Sequence, residues 1–135
     1  MTFVVVHLCR QRPPTPSDDC LTWLSSSKWS TIISSRWKRP EHINSLELRA
    51  VLTAVRWSLS HSSARGKKLL ILCDSLVTIG CVNKGRSSSF RLLAPLRAIA
   101  AAVLASGSRV YLNWIPTHHN PSDHASRPQQ RTYVF

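Results

Sequence analysis

Only six carboxylates occur in this chain of 135 residues: Asp18, Asp19, Glu41, Glu47, Asp74 and Asp123. They stand against 18 Lys and Arg, for a formal net charge of +12. Glu47 lies in the first turn of the clearest amphipathic segment, one residue off its apolar stripe. Asp74 closes the apolar run LLILC, and Asp123 follows the last apolar segment. Acids gathered at one point in a basic protein supply the hard oxygen donors that Mg²⁺ needs beside a phosphate backbone. Each also has a purely structural alternative. Asn44-x-x-Glu47 has the form of a capping box, and Asp74 and Asp123 are each placed to cap a following helix.

The elements that must position these acids follow from periodicity. Leu48, Val51, Leu52, Val55 and Leu59 repeat as one face of a helix, with Asn44 as its expected N-cap. LLILC (69–73) is a continuous apolar run, expected to be a strand covered on both faces. A short helix is expected from Ser75 to about Asn83, broken at NKGRSSS. FRLLAPLRAIAAAVLAS (90–106) reads as a further helix, with Leu93, Leu96, Ile99, Ala100 and Val103 on one face. RVYLNWI (109–115) reads as a strand, then the loop PTHHNPSDHASR. Upstream, FVVVHL (3–8), LTWL (21–24) and STIISSRW (30–37) suit an antiparallel meander of three strands, with the Pro-rich loop QRPPTPSDD between the first two. Strand, helices, strand implies a parallel pair with a right-handed crossover. The expected class is α/β: a mixed sheet of three antiparallel strands followed by parallel strands, with flanking helices. The chain divides as one domain over 1–127, with N-terminal strands in 1–41, a core in 42–127 and a polar tail in 128–135. Open α/β sheets bind ligands at the carboxyl ends of their strands, which is where Asp74 falls.

Composition narrows the partners. A hydrophobic content of 43% belongs to a folded chain, and a net +12 attracts polyanions by counterion release. No stretch approaches the length of a membrane-spanning helix, and FVVV (3–6) is too short for a leader. Cys9, Cys20, Cys73 and Cys81 form no C-x-x-C pair, so the expected compartment is reducing and intracellular, cytoplasm or nucleus.

Three blocks carry a likeness: HINSLELRAVLTAV (42–55), LLILCDSLVTIGCVNKG (69–85) and WIPTHHNPSDHASR (114–127). In order and spacing they resemble the ribonuclease H domain of retroelement polyproteins of the DIRS and gypsy kinds. The likeness spans 42–127 and implies a ribonuclease H-like fold: a five-stranded mixed sheet with helices packed on it. It implies hydrolysis of the RNA strand of RNA–DNA hybrids by two Mg²⁺ (or Mn²⁺) ions held on four carboxylates. Glu47 matches the helix carboxylate, Asp74 that of the fourth strand, and Asp123 the late aspartate. It also implies a reverse transcriptase domain of the same polyprotein as a partner.

The departures are specific. FVVVHLCRQ carries no acid where the family has its first carboxylate; Asp18 and Asp19 fall at a roughly suitable distance before the helix, but PPTPS precedes them in place of an apolar strand. Asn120-Pro-Ser-Asp123 is one residue shorter than the family's usual spacing. His118 and His119 lie near a loop histidine of the family, and a solvated role explains them equally. Lys84, Arg86 and Arg91, with the hydroxyls of NKGRSSSFR, are the expected phosphate contacts. Two readings stay open: a metal-dependent hybrid nuclease, and a catalytically degenerate module that binds nucleic acid or packs on a polymerase.

Overall fold

A computed structural model describes residues 3–8, 30–39 and 41–116. The expected strand LTWL (21–24), together with Cys9, Cys20, Asp18, Asp19, His118, His119 and Asp123, lies outside the described residues. The chain divides into two compact units, Met1–Arg39 with Pro116–Phe135, and Pro40–Ile115.

In the first unit, β1 (Phe3–Leu8) pairs antiparallel with β2 (Ser30–Arg36). Val6 faces Ile33 but His7 faces Thr31, so Ile32 is the extra residue of a β-bulge.

The second unit is mixed α/β. Its order is α1 (Ile43–Leu59), a 3-10 turn (Ser62–Ala64), β3 (Lys68–Cys73), α2 (Leu76–Lys84), α3 (Phe90–Ser106) and β4 (Arg109–Trp114). The β3 and β4 strands pair in parallel with an unbroken register from Lys68↔Arg109 to Cys73↔Trp114. Two further bonds prolong this ladder at its ends, Arg109 N–H to Lys67 C=O and Ile115 N–H to Cys73 C=O, each 3.0 Å. The parallel pair inferred from the intervening helices is therefore present.

The core sits where α1 and α3 pack together over one face of the sheet. Leu48, Val51, Leu52 and Val55 of α1 meet Leu92, Leu96 and Ile99 of α3 and Leu112 of β4. The partly buried Ile71, Cys73 and Val110 pack against this cluster. The α1 stripe is the one expected, with Leu59 at its half-buried end.

Three expectations need correction. First, the N-cap of α1 is His42, whose Nδ1 accepts the Asn44 N–H at 3.2 Å. Asn44 is the second helical residue, because an imidazole two positions earlier already supplies the acceptor. No Asn44–Glu47 capping box forms, and Glu47 is the fifth residue of the helix. Second, the buried stripe of α3 is Leu92, Pro95, Leu96 and Ile99, so Leu93 is only half-buried and Ala100 is exposed. Pro95 is fully buried and acts here as an apolar side chain, which shifts the stripe by one position. Third, β3 is not covered on both faces: Leu70 is 37% exposed and its register partner Tyr111 43%.

Helix ends are set by local chemistry. The Ser75 side chain caps α2, and Gly85 (φ 69°) and Gly107 (φ 67°) terminate α2 and α3 in the left-handed conformation that only glycine adopts cheaply. A buried hydroxyl staples the connection before β3 to the one before β4. Ser108 Oγ accepts from Gly66 N–H at 3.0 Å and donates to Ala64 C=O at 3.2 Å.

Candidate functional site

Asp74 follows the last residue of β3 and is half-buried. It is not the cap of α2. That role belongs to Ser75, whose Oγ accepts from the Thr78 N–H at 3.3 Å and from the Thr78 hydroxyl at 3.1 Å. Thr78 is 2% exposed, so this cap is anchored in the core and fixes the chain direction where Asp74 leaves the strand. The Asp74 carboxylate thus has neither the structural job that the sequence allowed it nor a hydrogen bond or ion pair among the described residues.

Glu47 is half-buried on α1, next to the fully buried Leu48. Glu41, its acidic neighbour in sequence, is engaged elsewhere, in a 2.9 Å ion pair with Arg49. That pair is solvent-exposed and contributes little to stability.

Cys73 reports on both acids. Its thiol pKa is raised, first by burial and then by the negative charges of Asp74 and Glu47, with the Ser75 N–H to Sγ hydrogen bond opposing the rise. Asp74, its neighbour in sequence, and Glu47 of α1 are thus within electrostatic reach of one thiol at the carboxyl end of β3. Oxygen donors of this kind suit a hard divalent cation. Two are short of a full set: among the described residues no group of three or more His, Cys, Asp or Glu side chains is arranged to hold a metal. Asp123, the third expected ligand, lies outside the described residues. Cys73 and Cys81 are both free thiols.

A groove of about 1040 Å³ runs beside these elements. Lys84, Arg86 and Arg91, the three expected phosphate contacts, all line it, and among the described residues its lining contains no carboxylate. Lys84 ends α2, Arg86 lies in the loop after Gly85, and Arg91 is the second residue of α3. Two helix amino ends contribute as well. The starts of α1 (His42, Asn44, Ser45) and of α3 (Ser89 to Leu92) both line the groove, and neither has an acid in its first turn. The Ser89 hydroxyl makes no capping bond to α3. Unneutralised helix amino ends and three cations give the groove a positive field. Asn83 Nδ2 donates to Leu112 C=O at 3.4 Å, which ties the end of α2 to β4 and holds this wall in place.

The groove also contains residues that sequence reasoning did not single out. Phe90 is 88% exposed, Leu76 69% and Val77 47%. The sequence gives no sign of this for Phe90, which lies three residues before Leu93 and so in phase with the expected stripe; only the observed stripe, starting at Leu92, puts it on the opposite side.

Among the described residues no helix is long and apolar enough to cross a membrane. No family model, curated protein or solved structure matches this chain.

Proposed function

We propose that this chain is a ribonuclease H-like nucleic-acid-processing domain of retroelement origin, acting on the RNA strand of RNA–DNA hybrids. The observation that carries this reading is the position of Asp74 directly after the last residue of β3, at the carboxyl end of the parallel pair, with the Glu47 charge within electrostatic reach of the neighbouring Cys73 thiol. Ligands of open α/β sheets bind at that end, and the cation-lined groove lies alongside. Glu47, Asp74 and Asp123 would hold Mg²⁺ or Mn²⁺, which supplies Lewis acidity to phosphodiester hydrolysis. Lys84, Arg86 and Arg91 would grip phosphates and set the register of the substrate without reading its sequence. A reverse transcriptase domain of the same polyprotein is the proposed protein partner.

A second reading is favoured by one specific observation. The strand FVVVHL, paired to β2, carries no acid, so a fourth carboxylate is not supplied from β1. On that reading the chain binds nucleic acid, or packs on a polymerase, without cutting it.

Cleavage of an end-labelled RNA–DNA hybrid by the full chain, with Mg²⁺ or Mn²⁺, separates the two. The nuclease reading expects metal-dependent cutting that disappears in a Glu47→Gln, Asp74→Asn variant while hybrid binding persists. Tight, salt-sensitive binding with no cutting at any metal concentration would replace it by the second reading.

A further inference from the structure

We infer that the groove between α2 and the start of α3 takes an unpaired strand of nucleic acid, with Phe90 as the platform on which a base stacks. This inference rests on the nucleic-acid reading above and adds to the hybrid a second form of ligand, an unpaired strand leading to or from it, held by the same cations.

The starting observation is a large aromatic side chain in the wrong place for stability. Phe90 is 88% exposed at the first position of α3, and it takes no part in the core cluster. Phe is a mediocre helix former and gains nothing from hydration, so neither propensity nor burial accounts for it. It is not a scattered surface residue either. Leu76 and Val77 of α2, both exposed, line the same groove. Lys84, Arg86 and Arg91 share that lining, and among the described residues no carboxylate does.

Cations and apolar faces in one groove define their ligand by exclusion. A duplex offers phosphates but hides its base faces in the stack, so a groove built only for a duplex needs the cations and not the Phe. A single strand offers both, a charged backbone and unstacked apolar rings. Aromatic side chains interleaved with Lys and Arg are the general solution for binding it. The volume fits an extended occupant: about 1040 Å³ is at the top of the roughly 300–1,000 Å³ typical of compact small-molecule sites. The serines of 87–89 add hydroxyls that suit phosphate and sugar oxygens. Asn44 and Ser45 line the groove one turn before Glu47, so a strand held there runs beside the helix that carries the acid.

The test is fluorescence anisotropy with the full chain and three probes of equal length: labelled oligo(dT), a blunt RNA–DNA hybrid and a poly-glutamate peptide. Phe90→Ala, Phe90→Trp and Arg86→Ala are compared with the parent chain. Exposure of Phe90 keeps the fold intact in its variants, checked by circular dichroism. The expected result is that Phe90→Ala weakens oligo(dT) by about 5- to 150-fold, the loss of one stacked base. The salt slope should not change, and Phe90→Trp should retain affinity. Arg86→Ala should instead lower the salt slope by about 0.7, one phosphate contact on a single strand. Equal affinity of Phe90→Ala and the parent chain for oligo(dT) overturns the inference. So does poly-glutamate competing as well as oligo(dT), which would make the groove an acidic-peptide site. The two readings fail separately. A chain that cuts hybrid but is indifferent to Phe90→Ala keeps the proposed function and loses the stacked strand. A chain that binds oligo(dT) through Phe90 but never cuts keeps the strand and loses the nuclease.

Discussion

Leu48 is the residue on which the placement of Glu47 depends most directly, and its truncation has a calculable cost. It is 1% exposed and lies in the cluster formed by α1, α3 and Leu112. Leu48→Ala removes three carbons, worth about 2.4 kcal/mol at about 0.8 kcal/mol per methylene. A residual void of roughly 50 Å³ adds about 1.2 kcal/mol at about 24 cal/mol per Å³. The total, about 3.6 kcal/mol, is a large share of the roughly 5–15 kcal/mol that holds a domain together. With a urea m-value of about 2 kcal/mol/M, the unfolding midpoint should fall by about 1.8 M. Tryptophan fluorescence follows the transition, and Phe90→Ala serves as the control, expected within about 0.5 kcal/mol of the parent chain because Phe90 is exposed. A Leu48→Ala cost below about 1 kcal/mol, or one no larger than that of Phe90→Ala, would refute the assignment of the core to the α1–α3 seam.

Two further outcomes follow from named groups. Ser108→Ala removes the hydroxyl that bridges Gly66 N–H and Ala64 C=O. It should cost about 1 kcal/mol and lower the thermal midpoint by roughly 3–6 °C in calorimetry; an unchanged midpoint would mean that water replaces the hydroxyl without loss. The Cys73 thiol, held above its ordinary pKa by burial and by Asp74 and Glu47, should alkylate more slowly at mild alkaline pH than a solvent-exposed cysteine. In a chain whose other cysteines are serine, Asp74→Asn removes one raising charge and should speed the reaction. A slower or equal rate would show that the carboxylate does not face the thiol. Because the folded pKa lies above the unfolded one, this thiol contributes stability below the ordinary thiol range, lost as pH climbs through the raised folded value.

The sequence was most legible where one physical signal dominated. The α1 stripe and the full extent of α3, between a serine run and Gly107, follow from periodicity and from glycine's tolerance of positive φ. The parallel pairing of β3 and β4 follows from the helices between them. Failures came where two signals competed in one residue. A proline inside a helical pattern signals a break in the backbone, yet the ring of Pro95 is fully buried and sets the phase of α3. His42 was passed over as a cap because hydroxyl and amide side chains are the usual acceptors, and its imidazole nitrogen serves instead. The even apolarity of LLILC concealed that Leu70 points away from the helices. The site was half legible. Asp74 stands out because a strand ends at it, and the three groove cations by their clustering. Phe90 was hidden by its company, since an aromatic at the head of an apolar helix reads as core until the phase of that helix is known.

The register of the parallel pair bears on how the chain comes to be folded. Each β3–β4 partner lies 41 positions from its mate, as Lys68 does from Arg109. Closing an open loop of that length costs about 3 kcal/mol in chain entropy before the first ladder bond forms. Helices shorten the intervening path, and α3 alone compacts 17 residues to about 25 Å. The seam of α1 against α3 spans a comparable separation, 40 positions from Leu52 to Leu92, so seam and sheet meet the same closure cost and are expected to form together, as one diffuse nucleus.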